Sequence, residues 1–239
     1  MADTGTIRPT DRLRRSFLYR VLEEAGASFT EINGAAVATS FGPVEDEIAA
    51  ARIMAIADLS PLPRIGCKGC GALDRAREHD VEIGDYNNVA YPQAEGELAA
   101  RLADTEVLIL DSLGGAGTLP HRIEAEWSLN SVDGSYLVNR QGASFWFMVT
   151  GRHAPGMFAK LCAVDLQPAK FPLGAIAQTS VAQTNCIVIR ADLGEVPAYH
   201  LLGDSASAEY QWGCLLDATG EFGGQPVGIE ALRLVAWPG

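Results

Sequence analysis

Two stretches of this chain repeat the same order of elements, and that repetition limits what it can fold into. "PRIGCKG" reads as a short strand ending in glycine and "GALDRAREHDV" as a helix; "SFWFMVTG" is again a strand ending in glycine, before the helical "HAPGMFAKLCAVD". Further on, the apolar strand "TEVLILDS" precedes a glycine-rich turn and the helical "LPHRIEAEWSLN", and its counterpart "AYHLLGDS" precedes "AEYQWGCLLDATGEFG". Both strands close in Asp-Ser, at Asp111-Ser112 and Asp204-Ser205. Side-chain oxygens there accept the orphan amides of a helix's first turn, so both pairs read as N-caps. The copies occupy about 61–131 and 136–223. Each predicts an α+β module, with helices over one face of a mostly antiparallel sheet. In the second, "AIAQTSVA" and "TNCIVIRAD" are close enough to form a hairpin, Ile187 and Ile189 alternating with Val188 and Arg190. No low-complexity linker separates the copies. The expected organisation is an arm with helices at 1–60, a first module at 61–135 and a second at 136–239, folded as one compact unit.

Ahead of the repeat, "RLRRSFLYRVLEEAG" spaces Leu13, Phe17, Val21 and Leu22 helically, with Gly26 as a stop. Arg8, Arg12, Arg14, Arg15 and Arg20 make this lead basic. It reads as a flexible lead into a helix with a solvated basic face, or as an arm for an acidic partner. "EDEIAAARIMAIADLS" predicts a second helix, with acids in its first turn and Asp58 and Ser60 turning the chain afterwards.

The balance of charge narrows the function classes. The 239 residues are 48% hydrophobic and 20% charged, with a net charge of −12. Such an excess of acid disfavours nucleic acid or an anionic membrane as main partner. No apolar run approaches the roughly 20 residues a membrane helix needs, and no signal-peptide core is present, so a cytoplasmic location is expected. Five scattered cysteines are not a disulfide framework and fit reduced thiols. Cys67 and Cys70 form a C-x-x-C, but the nearest further ligands, His79 and His121, have no metal-ligand spacing, so no metal or redox role is expected. "DSLGGAG" lacks the Lys-Ser/Thr of a phosphate loop and reads as a turn, no G-x-S-x-G elbow occurs, and the histidines are isolated. Phe145, Trp146, Phe147, Tyr210 and Trp212 read as core or interface residues, and Trp127, Trp146, Tyr210 and Trp212 include candidates for a surface anchor. Residue chemistry alone yields no catalytic constellation.

The stretches "FMVTGRHAPGMFAKLCAVDLQPAKFPLGAIAQTSVA", "IVIRAD" and "AYHLLGDSASAEYQWGCLLDATGEFG" resemble the folding core of the glycine-cleavage T-protein (aminomethyltransferase) family. Within that family the pattern is most similar to the γ subunit of heterotetrameric sarcosine oxidase. Fainter similarity extends upstream through "EDEIAAARIMAIADLSPLPRIGCKG". The resemblance implies an α+β, folate-binding T-protein N-terminal fold. It also implies a pair of aspartates in the hairpin before the strand "IVIR", one of which faces the folate; Thr184 and Asn185 stand there instead. A carboxylate stabilises a developing cation and moves protons, which an amide or hydroxyl does not do equivalently. Nothing resembles the family's C-terminal barrel domain. The expectation is therefore a non-catalytic, γ-type accessory subunit, partnered by larger flavin- and folate-carrying subunits. It would have no cofactor of its own beyond tetrahydrofolate in a vestigial pocket built from Gln178, Asn185, Arg190 and Asp204. The alternatives are a stand-alone tetrahydrofolate-dependent methyl- or aminomethyl-transferase and a folate-binding regulatory protein. With no G-x-G-x-x-G fingerprint in the sequence, a flavin would sit on another chain.

Overall fold

The computed structural model describes residues 5–126 and 134–237. The first part runs β1 (Arg14–Arg15), α1 (Tyr19–Glu24), β2 (Ser28–Ile32), β3 (Ala35–Ser40), α2 (Val44–Ile53) and β4 (Ala55–Asp58). Next come β5 (Arg64–Gly69), α3 (Ala72–Glu78), β6 (Val89–Pro92), β7 (Leu98–Ala103), β8 (Glu106–Leu110) and α4 (Thr118–Glu126). The third part holds β9 (Ser135–Asn139), β10 (Ser144–Thr150), α5 (Ala154–Phe158), β11 (Ile176–Val181), β12 (Thr184–Arg190), β13 (Ala198–Asp204) and α6 (Ala208–Gly220). Two elements follow, β14 (Gln225–Pro226) and α7 (Ile229–Ala236).

The repeat in the sequence is a repeat in topology. One sheet has the order β6-β7-β8-β5-β9 and the other β11-β12-β13-β10-β4-β14; a small third sheet is β1-β3-β2. Matching β5 to β10 and β6, β7, β8 to β11, β12, β13 gives identical strand orders with antiparallel pairing throughout. The next strand of each sheet is exchanged. β4, which leads into β5, pairs with β10, and β9, which leads into β10, pairs with β5.

Period-two alternation then builds the layers. Phe145, Phe147 and Val149 of β10 face one core beneath α1, α5 and α6, while Trp146 and Met148 face the other way. That second core is shared between sheets: it also takes Leu98, Ala100 and Leu102 of β7 and Leu108 and Leu110 of β8. The far face of the five-stranded sheet sends Val107, Ile109, Ile65 and Cys67 into a third core under α3 and α4. The result is a mixed α+β fold with mostly antiparallel sheets, stacked helix–sheet–sheet–helix. The edge strands of the two sheets meet where Val89 bridges Ala175.

The glycines that end β5 and β10 have a common cause. Gly69 (φ 115°) and Gly151 (φ 109°) both adopt backbone that side chains rarely reach. A Cβ on Gly69 would collide with the Gly134 carbonyl just before β9, and one on Gly151 with the Ile53 carbonyl just before β4. Each glycine thus admits the exchanged strand.

Several expected helices differ. The one predicted across "EDEIAAARIMAIADLS" stops at Ile53, and Ala55–Asp58 is strand β4, fully buried. Pairing with β10 and burial on both faces override alanine's helix propensity. The lead is helical only at Tyr19–Glu24; Arg14 and Arg15 pair with Ala35 and Ala36, and Leu13 points to solvent. "HAPGMFAKLCAVD" is helical only through Phe158. The end of "LPHRIEAEWSLN", with Trp127, lies outside the described residues. Trp146 and Trp212 are buried, whereas Tyr210 is exposed.

Gly151→Ala should therefore lower unfolding stability by about 3 kcal/mol in chemical denaturation, combining backbone strain with overpacking. Gly213→Ala, in helix α6 with open space around its Cβ position, should be neutral or stabilising by up to about 1 kcal/mol.

Candidate functional site

Between the two sheets, at the β12 end, lies a cavity of about 390 Å³. Its floor is formed by Met148 and His200 on the inward face of the six-stranded sheet, and its walls include Leu98, Leu173, Leu193 and Trp237. Apolar walls with a few convergent polar groups are the usual construction of a small-molecule site.

His200 is the most constrained of those groups. Trp146 Nε1–H donates to His200 Nδ1 at 2.9 Å. An indole only donates, so Nδ1 must be the bare nitrogen and Nε2 carries the proton. Burial holds the imidazole's pKa down, to about 4. A neutral ring with a fixed Nε2–H therefore lines the cavity, and that N–H has no hydrogen-bond partner among the described residues.

Two carboxylates stand at the opposite wall. Asp111 is 5% exposed and Glu97 4%. Leu98 pairs with Leu110, which brings their neighbours Glu97 and Asp111 together at the ends of β7 and β8. Asp111 accepts from the amides of Ser112 and Gly117, both at 2.9 Å. Burial nevertheless raises its pKa to about 6, opposed by those two amides and assisted by Glu97. The Glu97 carboxylate has no hydrogen-bond or ion-pair partner among the described residues. The cavity thus offers the His200 N–H donor and apolar walls, with Glu97 in its lining, a residue that also lines a neighbouring cleft beside Asp80, Glu82 and Arg122. It suits a ring that carries both an acceptor and N–H groups.

The four residues singled out from sequence are divided between two places. Arg190 lines this cavity, but its guanidinium is held by Asp192 (3.0 and 2.6 Å) and by the Phe171 carbonyl (2.9 Å). Gln178, Asn185 and Asp204 line a separate, more polar cleft of about 670 Å³. There Gln178 Nε2 donates to Asn88 Oδ1 and the Leu102 carbonyl, both at 2.8 Å. Asp204 accepts from the Ala206 amide at 2.8 Å, the N-cap role expected of it. Asp111 does not cap in that way; it clasps the loop that ends where α4 begins. Thr184 Oγ1 donates to the buried Gln211 Oε1 at 2.7 Å, so the first of the two hairpin positions is used in packing α6 on the sheet. Cys67 lies in the third core, its thiol pushed up to about 12 by burial, whereas Cys70 is on the exposed turn beyond β5. No cluster of three or more metal-ligating residues occurs among the described residues, and no described helix is long and apolar enough to cross a membrane.

Sequence reading missed His200, Glu97 and Trp237. A lone histidine in "AYHLLGDS" carries no spacing signal, and its tautomer depends on a tryptophan 54 positions away.

A two-sheet α+β fold with this repeated strand order defines a class, and comparison identifies it. Residues 18–236 match the model of the GCVT N-terminal domain, so the chain belongs to that family. The glycine cleavage system aminomethyltransferase T from Bartonella henselae superposes with a TM-score of 0.70 at 16% identity, over 94% of this chain and 62% of that one. This chain therefore spans less than two thirds of that enzyme's length. A chain of heterotetrameric sarcosine oxidase from Corynebacterium sp. U-96, solved with pyrrole 2-carboxylate, gives a TM-score of 0.60 at 16% identity, over 88% of this chain and 97% of that one. No curated protein gives a significant sequence match. At these identities the likeness shows the fold.

The opposed pKa shifts predict a masked pH dependence. An acid raised to about 6 when folded contributes stability below the unfolded value of 3.8 and loses it as pH rises through 6. A histidine lowered to about 4 contributes stability above 6.5 and loses it as pH falls toward 4. Between about pH 4.5 and 6 the two nearly cancel. In denaturation series, Asp111→Asn should make stability rise with pH by about 1 kcal/mol per unit more steeply than wild type. His200→Gln, which keeps an acceptor for Trp146, should tilt it the other way.

Proposed function

We propose that the chain is an accessory, non-catalytic γ-type subunit of a sarcosine-oxidase-like, folate-linked amine-oxidising flavoenzyme. Its role is to brace larger subunits that carry the flavin and the folate. The observation that carries this reading is coverage: the likeness extends over 97% of the sarcosine oxidase chain, against 62% of the aminomethyltransferase. The hairpin supports it as well. Where the family resemblance calls for two carboxylates, Thr184 is engaged with Gln211 and Asn185 is an amide. Neither group can hold a developing cation as a carboxylate would.

A folate-binding regulatory protein, or a transferase with a rearranged site, is the second reading. The inter-sheet cavity favours it. The residues present fit the heterocycle of tetrahydrofolate: Glu97 would take ring N–H groups, His200 Nε2–H would meet a ring acceptor, and the apolar walls would cover the ring faces. Tetrahydrofolate, when bound, supplies a nitrogen acceptor for a one-carbon unit. The chain's own residues would bind and orient it and exclude water.

Size-exclusion chromatography with light scattering on native material separates the readings. A flavin-bearing hetero-oligomer is expected, and the isolated chain should transfer no methyl or aminomethyl group to tetrahydrofolate. A monodisperse species at the chain's own 25.4 kDa would favour the second reading, and turnover by the isolated chain would establish the transferase.

A further inference from the structure

The segment 8–20 is the exception on an acidic molecule. It carries five arginines and one aspartate, a net +4, so the remainder of the chain carries −16 to give the total of −12. It is also held in place. Arg12 Nε donates to Glu31 at 2.6 Å, and Arg14 donates to the carbonyls of Asn33 and Pro61. Arg14 and Arg15 pair with β3, and Ser16 hydrogen-bonds the buried Asp58. Leu18 and Leu22 anchor the far end in the core.

Pinned on both sides, Leu13 stands 99% exposed and Phe17 37% exposed. An isolated exposed leucine needs no explanation. Here, however, its two neighbours are tied down on the surface, so the side chain is presented in a fixed position. Arg15 and Arg20 both lie over the Tyr19 ring, at 4.8 and 5.2 Å, and Arg8 is exposed nearby in sequence. Two apolar side chains interspersed with arginines along one pinned segment, with its ordering already accomplished in the free chain, have the composition of an interface hot spot.

We infer that Leu13 and Phe17, framed by Arg15 and Arg20, form a preformed anchor for a larger partner subunit whose receptor is an apolar pocket with an acidic rim. The chemistry of that receptor follows from charge complementarity: a basic, apolar knob requires an acidic, apolar socket. That the socket belongs to a different protein rests on the subunit reading above.

The test uses the tagged full-length chain, expressed in its native source and recovered with whatever it assembles with. Leu13→Asp, at a side chain wholly in solvent, should leave the thermal midpoint unchanged, and both it and Phe17→Asp should weaken association with the flavin-bearing partner at least tenfold, through faster dissociation. The double variant Arg15→Glu/Arg20→Glu should slow association and flatten its salt dependence. Photo-cross-linking from a probe at Leu13→Cys should map to a partner peptide containing Asp or Glu beside apolar residues. If the flavin-bearing partner is present and all variants bind as wild type, the anchor is wrong and the subunit reading stands. If wild type carries no larger protein, both fall. If the variants abolish self-association instead, or binding to phosphatidylserine vesicles with partner binding intact, a second copy or a membrane is the occupant and the inference is overturned.

Discussion

The exchange of β4 and β9 is the constraint on which the rest of this structure depends. Each strand precedes one half of the repeat but completes the sheet of the other, so neither sheet can form its full hydrogen-bonded ladder without the opposite half. The exchange also forces the crossovers together. Arg64, 3% exposed, heads β5 immediately after one crossover, and its guanidinium donates to the carbonyls of Ser60 and Leu62 on that side. It reaches the carbonyls of Gln141 on the other crossover and of Ser144 at the start of β10 as well. A single buried fork of donors thus satisfies carbonyls from both connections. Lysine, a point donor on a flexible stem, has no equivalent geometry for this.

The exchange explains why the cavity lies in the inter-sheet layer. Both sheets must bury a face against each other, and alternation supplies the apolar residues for it along most of their length. Toward the end of β12 the filling gives way to the cavity, at the point where strand ends and loops bring polar groups. Two of its polar members are set by main-chain and core contacts rather than by mobile side chains: Asp111 by two amides, His200 by a core tryptophan. Such a site is preorganised at those two groups, and the His200 N–H that faces it is unmet among the described residues. The polar cleft lined by Asn185 and Asp204 differs. Two of its three sequence-chosen side chains already serve turns and strand edges.

Much of the fold was legible because its signals are local. Strands β5, β8, β10 and β13 announce themselves as apolar runs, and the hairpin of β11 and β12 pairs as expected around Ala182 and Gln183. What failed was non-local. Nothing within "AIADLS" says that a long-range partner will extend it, and alanine and isoleucine serve helix and strand alike. Leu13 follows helical spacing yet faces water, since Arg14 is drawn to carbonyls of β5's lead-in and of the β2–β3 turn. The site was less legible than the fold. Its candidates were polar residues in the most family-like segment. The groups that carry unmet hydrogen-bonding capacity came from the residue just before β7 and from β13, joined only by sheet-on-sheet packing.

Retention of the fold and retention of its chemistry respond to different pressures in a molecule built this way. The glycines at 69 and 151 and the arginine at 64 answer to the strand exchange, and any chain that keeps the exchange must keep groups that do their work. The hairpin positions 184 and 185 answer to nothing in the exchange. Thr184 can serve α6 through Gln211, and Asn185 can face solvent, without disturbing either sheet. The residue types at 184 and 185 can therefore vary at little structural expense, while the inter-sheet cavity depends on the two sheets parting at the end of β12. The hollow is a by-product of how the halves interlock, and positions 184 and 185 are not part of that lock, so the one can persist whatever stands at the other.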